Sequence, residues 1–157
     1  MFFKLTDTKT FVTLYIFCFI LEKQSSKEVD IRIMTDYVDG YTFPIKRIHL
    51  EEYKRIAQSV AMIWKEYGAL AYIECVGDDL HFEGTRNFPD TLSIEEGETI
   101  IFGWITFESR ESRDKAHQQV AADSRMEKLV APLMDKDRLI FDAQKMVFGG
   151  FQSMISK

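Results

Sequence analysis

Apolar and polar positions follow two rhythms along this chain. Leu50, Tyr53, Ile56, Ala57, Val60, Ala61, Ile63, Trp64 and Tyr67 recur at spacings of three and four. That is the rhythm of a helix with one buried face. Glu51, Lys54, Lys65 and Glu66 fall mostly off the stripe. Gly68 follows as a residue able to take the left-handed turn that ends a helix. His49 stands at the N-cap position, with Glu52 three residues on. The second rhythm is carried by Thr99 to Phe107, a run of β-branched and aromatic residues that reads as a strand. Ile101, Gly103, Ile105 and Phe107 face one way, and Ile100, Phe102 and Trp104 the other. Both faces are apolar, so both call for a cover.

The remaining elements fit around these two. Tyr37 to Phe43 reads as a strand that Pro44 closes, since proline donates nothing to a ladder. Ala69 to Val76 is a further strand, and Gly77-Asp78-Asp79 turns the chain. Residues 80–97 form a polar loop, with Leu92 and Ile94 as a short edge segment. Ser112 caps a helix running to about Ala122, with Ala116 and Val120 inward. Met126, Leu129, Val130 and Leu133 make another helical stripe, interrupted by Pro132. Lys145 to Ile155 is the last strand, and Gly149-Gly150 marks a close approach or a bulge within it.

The order strand, helix, strand, strand, helix, strand is the ferredoxin-like βαββαβ plan. It is an α+β architecture, an antiparallel sheet with its helices on one face. One face of the central strand then stays open. A second copy of the same sheet is the simplest cover. The expectation is a homodimer with its sheets face to face, a dimeric α+β barrel.

Composition narrows the function class. The chain has 157 residues, enough for one domain with a real core. A net charge of −5 repels nucleic-acid phosphate and anionic membrane, and no run of Lys and Arg makes a local exception. Neither is expected as a partner. Cys18 and Cys75 make neither a disulfide framework nor a zinc site, which favours a reducing, cytoplasmic location. The apolar run Phe11–Leu21 is too short to span a bilayer. It matches a signal-peptide core in length, but Asp7 precedes it and no small-residue cleavage site follows. An extra strand is a second reading. The third is that residues 1–33 precede the natural start, because Met34 opens Met-Thr-Asp-Tyr-Val-Asp-Gly-Tyr. Residues 34–157 are then a single domain.

Glu74 is the most chemical residue in the strands. A carboxylate among Tyr72 and Val76 on one strand face suits a general base if it is buried. The plainer reading is an ion pair with a cation of the partner subunit. Tyr37, Asp39 and Tyr41 share a face of the first strand and offer a polar lining for a pocket, or a rim of the dimer interface. Trp104 is a platform for a flat, apolar or aromatic molecule, or a core residue. Arg113 sits at a helix start against the macrodipole, where it binds an anion or carboxylate or pairs with a neighbour. Cys75 lacks an assignable partner and reads as a buried, inert cysteine. Asp78, Asp79, His81 and Glu83 are oxygen-rich, but their spacing is not that of an EF-hand, and a solvated turn is expected instead of a metal site. No phosphate loop, catalytic triad or cofactor signature occurs, so no cofactor is expected.

Several phrases, in order, resemble a known family. They are Tyr37-Val-Asp-Gly-Tyr41 with Pro44, Gly68-Ala-Leu70, Glu74-Cys75 with Asp78-Asp79, and Glu98-Thr99 with Phe102 and Trp104. Ser112-Arg-Asp114, Ala122-Asp-Ser-Arg-Met126, Phe141-Asp142 and Lys145-Met-Val-Phe-Gly-Gly-Phe151 complete the series. Residues 34 to 155 are similar to the YbaA-like family of small bacterial proteins, whose function is unknown. The resemblance implies the dimeric α+β barrel fold. Relatives by fold imply a small-molecule binder or a cofactor-free enzyme, with a pocket between sheet and helices. The competing expectation is a non-catalytic, stress-linked or structural homodimer. The chain departs from the family at Ser124, Ala143, Phe148 and Tyr67, where proline, glycine, tyrosine and histidine are expected. Tyr67 puts in doubt any proton-transfer role of that histidine here.

Overall fold

The computed structural model describes residues 37–135 and 137–155. The readings made of residues 1–33 lie outside the described residues. Strand β1 (Tyr37–Lys46) leads through a short 3-10 turn into helix α1 (Leu50–Glu66). Strand β2 (Ala71–Val76), the short helix α2 (Phe88–Leu92) and strand β3 (Glu98–Phe107) follow. Helices α3 (Arg110–Ala122) and α4 (Ser124–Val130) then lead to strand β4 (Val147–Gln152). The sheet is antiparallel in the order β2-β3-β1-β4, the ferredoxin-like order expected from the sequence.

Helix α1 forms where the three-four rhythm places it and ends on Gly68, whose φ of 99° is the left-handed conformation. His49 stands at its start but makes no side-chain cap bond. Strand β3 spans the two-faced apolar run. Helix α3 begins earlier than expected because Ser109 is the cap, its hydroxyl accepting from the Ser112 amide. Strand β1 runs on through Pro44 instead of stopping there. Its pairing with β4 ends at Thr42, so at Pro44 the strand has a neighbour only on the β3 side. Residues 88–92 make a helix where a short edge segment was expected, with Pro89 in its first turn. Gly149 and Gly150 stay in unbroken register with Gly40 and Asp39, so no bulge forms.

The core lies between the helices and one face of the sheet. Tyr41, Phe43 and Ile45 of β1 pack there with Ile101, Ile105 and Phe107 of β3, under Tyr53 of α1 and Ala116 of α3. The opposite face is largely bare. Phe102 is 44% exposed and Phe151 59% exposed on it. They line a groove of about 580 Å³ with Val38, Trp104, Val147 and the Gly40–Gly149 pair.

Candidate functional site

Alternation along the strands sends Tyr41 and Glu74 to the helix face, and pairing puts them in one row. Tyr41 of β1 and Glu74 of β2 both lie opposite Gly103 of the intervening β3. Gly103 has no side chain, so the Tyr41 ring crosses over it. A Cβ there would lie 2.6 Å from Tyr41 Cζ. The phenol thereby spans a whole strand and donates to Glu74 Oε1 at 2.7 Å. Tyr53, descending from α1, donates to the same oxygen at 2.8 Å. Tyr72, two residues along β2, does so at 2.9 Å. Among the described residues no donor reaches Oε2, and no cation pairs with the carboxylate.

Burial pushes all three phenols well above their ordinary ionisation range, and the charge of Glu74 beside them pushes further the same way. They therefore stay protonated and act as fixed donors. Within its own chain Glu74 is thus met by hydroxyls and not by a cation. The carboxylate is held by hydroxyls of its own chain.

Two cavities meet at this cluster. The inner one, about 230 Å³, lies between sheet and helices and is lined by Phe43, Ile56, Val60, Trp64, Ile105 and Phe148 among others. The outer one, about 490 Å³, opens along the other flank of α1, with Glu51, Lys54, Gln58 and Cys75 on its walls. Tyr53, Ala57, Tyr72 and Glu74 belong to both.

A second polar cluster sits on the same face of the sheet. Asp39 has no exposed surface. The Arg113 Nε donates to both its oxygens, at 2.9 and 3.0 Å, and Arg113 Nη1 also donates to Asp114 at 2.8 Å. Burial works against the Arg113 charge, but these bonds to Asp114 and Asp39 outweigh it and hold its pKa above the ordinary value. The Arg113 guanidinium also lies 5.5 Å from the centre of the Tyr37 ring. His117, one turn along α3, brings Nε2 to 2.6 Å from Asp39 Oδ2. Its ring packs edge-on against Trp64 and Phe148, two residues of the inner cavity wall.

The residues singled out from sequence therefore divide into three groups. Tyr41 joins Glu74. Tyr37, Asp39 and Arg113 form the second cluster and line none of these cavities. Of the alternatives for Arg113, a bound anion or a pairing within the chain, the structure shows pairing with Asp39 and Asp114. Trp104 is no platform in the pocket between sheet and helices. It lies opposite Ile73 and Gly40 on the bare face, because its neighbour Gly103 is the residue opposite Glu74. Tyr67, the departure from the expected histidine, donates to Asp123 at 3.1 Å. Cys75 is free and, against the expectation of burial, exposed, because alternation along the edge strand β2 turns it away from the helix face that Glu74 occupies. No group of three or more metal-ligating side chains is assembled among the described residues. No helix among them is long and apolar enough to cross a membrane.

Tyr53 and His117 were missed in the sequence. Tyr53 was read only as part of an apolar stripe. His117 carried a usable signal, since Arg113, Ala116, His117 and Val120 share one helix face and two of the four are buried.

The family model described as a protein of unknown function, DUF1428, matches residues 36–143. The uncharacterized protein YbaA of Escherichia coli K12 is 32% identical over 121 residues, covering 77% of this chain and 98% of that protein. The YbaA of Shigella flexneri matches to the same extent. Among solved structures, a nipsnap family protein of unknown function from Agrobacterium tumefaciens is 14% identical with a TM-score of 0.47, covering 78% of this chain and 91% of that one. A putative antibiotic biosynthesis monooxygenase from Deinococcus radiodurans is also 14% identical, with a TM-score of 0.45 over 77% of this chain and 95% of that one.

Proposed function

This chain belongs to the DUF1428 family, and we propose that it works as a small-molecule-binding protein. The ligand is a small apolar or aromatic molecule that occupies the inner cavity and meets Glu74 at its polar end. One observation carries this reading. Two buried phenols and a half-buried third converge on one carboxylate oxygen of Glu74, a residue that lines both cavities, and among the described residues the other oxygen has no donor. Packing alone is served more cheaply by apolar residues, since even a half-buried charge loses part of its hydration. Apolar walls with one fixed polar group are the usual make-up of a ligand site. In a catalytic form of the same reading, Glu74 Oε2 accepts a proton from the bound molecule.

A structural reading has its own support, because Glu74 satisfies three phenolic hydroxyls at once. A ligand screen by thermal shift, wild type beside Glu74→Gln, separates the two. The binding reading expects an aromatic or carbonyl compound that stabilises the wild type and not the variant. A compound at a hundred times its Kd adds about 2.7 kcal/mol, a shift easily seen. A broad library that shifts neither protein, with Glu74→Gln melting higher than wild type, would overturn it.

We infer also that a second copy of the chain covers the bare sheet face. Ile73, Phe102, Val147 and Phe151 expose large apolar side chains there, a pattern that marks contact surfaces. The complete unit is then a homodimer.

A further inference from the structure

The two buried-face carboxylates are treated differently by the fold. Asp39 is answered within the chain by Arg113. Glu74 is surrounded by neutral donors, and among the described residues nothing positive pairs with it. Its charge therefore faces the two cavities uncompensated by an ion pair. Lys54 and Glu51 also line the outer cavity. They contribute one charge of each sign, and among the described residues Glu74 is the one charged residue common to both cavities. Where the two cavities adjoin, the α1 residue above the cluster is Ala57, whose small side chain leaves room beside the carboxylate.

We propose that the ligand is an amine with an apolar, preferably aromatic, body. Its ammonium sits at the junction and donates to Glu74 Oε2. Its body fills the inner cavity against Phe43, Ile56 and Trp64. This rests on the binding function proposed above and names the class of its ligand. The three phenols suit the role, because they hold Oε1 and leave Oε2 as the acceptor. A carboxylate-bearing ligand is rejected by the same charge.

Calorimetric titration of the full chain with 2-phenylethylamine, 2-phenylethanol and phenylacetate tests this. The amine is expected to bind about tenfold more tightly than the alcohol, as a charge-assisted bond exceeds a neutral one. Phenylacetate is expected not to bind. Glu74→Gln should erase the preference for the amine, whereas Tyr53→Phe keeps the carboxylate and should retain it. The wild-type comparison of amine with alcohol stands even where the Gln variant fails to fold. Alcohol binding as tightly as amine, or a preference that survives Glu74→Gln, overturns the amine assignment and leaves the binding function intact. Binding of none of the three overturns the amine assignment. If the wider thermal-shift library is silent as well and Glu74→Gln melts higher than wild type, the binding function falls with it.

Discussion

Tyr41 reaches Glu74 across an entire strand, and it does so over a glycine. The two residues are not neighbours in the sheet, yet the phenol and the carboxylate are 2.7 Å apart because Gly103 leaves the strand between them bare. Gly103→Ala places a Cβ 2.6 Å from Tyr41 Cζ. The ring must lift and its bond to Glu74 must break. The expected cost is about 1–3 kcal/mol in chemical denaturation, in the range of an overpacked core. Unchanged stability would show that the row tolerates a side chain and that the crossing is incidental.

The phenols make a statement about pH. In the unfolded chain tyrosine ionises near pH 10. In the folded chain Tyr41, Tyr53 and Tyr72 ionise well above that, because of burial and the adjacent charge of Glu74. Above pH 10 the unfolded state therefore holds fewer protons than the folded one. Stability is whole below pH 10 and falls as pH climbs beyond it. Melting temperatures from pH 8 to 11.5 should show the fall, and Tyr72→Phe should make it shallower. A variant with the wild-type slope would remove the phenols as its cause.

Breaking the Asp39 cluster should be severe. Asp39→Ala leaves Arg113, only 19% exposed, without its buried partner. Loss of about 3–5 kcal/mol is expected for removing one member of such a pair. Arg113→Met added to Asp39→Ala should cost much less than the sum of the two single changes. Additive losses in a double-mutant cycle would mean that the two side chains do not act together.

Assembly is open to direct measurement. Light scattering behind size-exclusion chromatography should give about twice the 18.4 kDa chain mass. Phe102→Lys, on the bare face, should give the single-chain mass without unfolding. A wild-type monomer at micromolar concentration would remove the proposed cover.

Periodicity carried the fold. The three-four stripe of α1 and the two-faced run of β3 are local signals that survive into the structure residue by residue. Alternation also placed Glu74 with Tyr72, and Tyr37 with Asp39 and Tyr41. What it could not carry was register. Whether Glu74 meets Gly103 or Trp104 depends on how β2 slides along β3, and a shift of one residue exchanges them. Tyr53 meets Glu74 only through the packing of a helix on a sheet, which no local pattern encodes. The place of Arg113 at a helix start left open whether it binds an anion or pairs with a neighbour, and only the fold shows its pairing with Asp39, 74 residues away.

The position of β2 in the sheet bears on how a molecule gets in. It is an edge strand, bonded to β3 on one side and to no strand on the other among the described residues. Edge strands open locally at less cost than strands bonded on both sides, and their amides exchange with solvent sooner. The amide of Glu74 should therefore exchange faster in heavy water than that of Tyr41, on the doubly bonded β1. The carboxylate at the heart of the cluster thus rides on one of the two edges of the sheet and not on its doubly bonded middle. A guest held by it would act as a clasp, slowing the exchange of β2 while leaving β1 as it was.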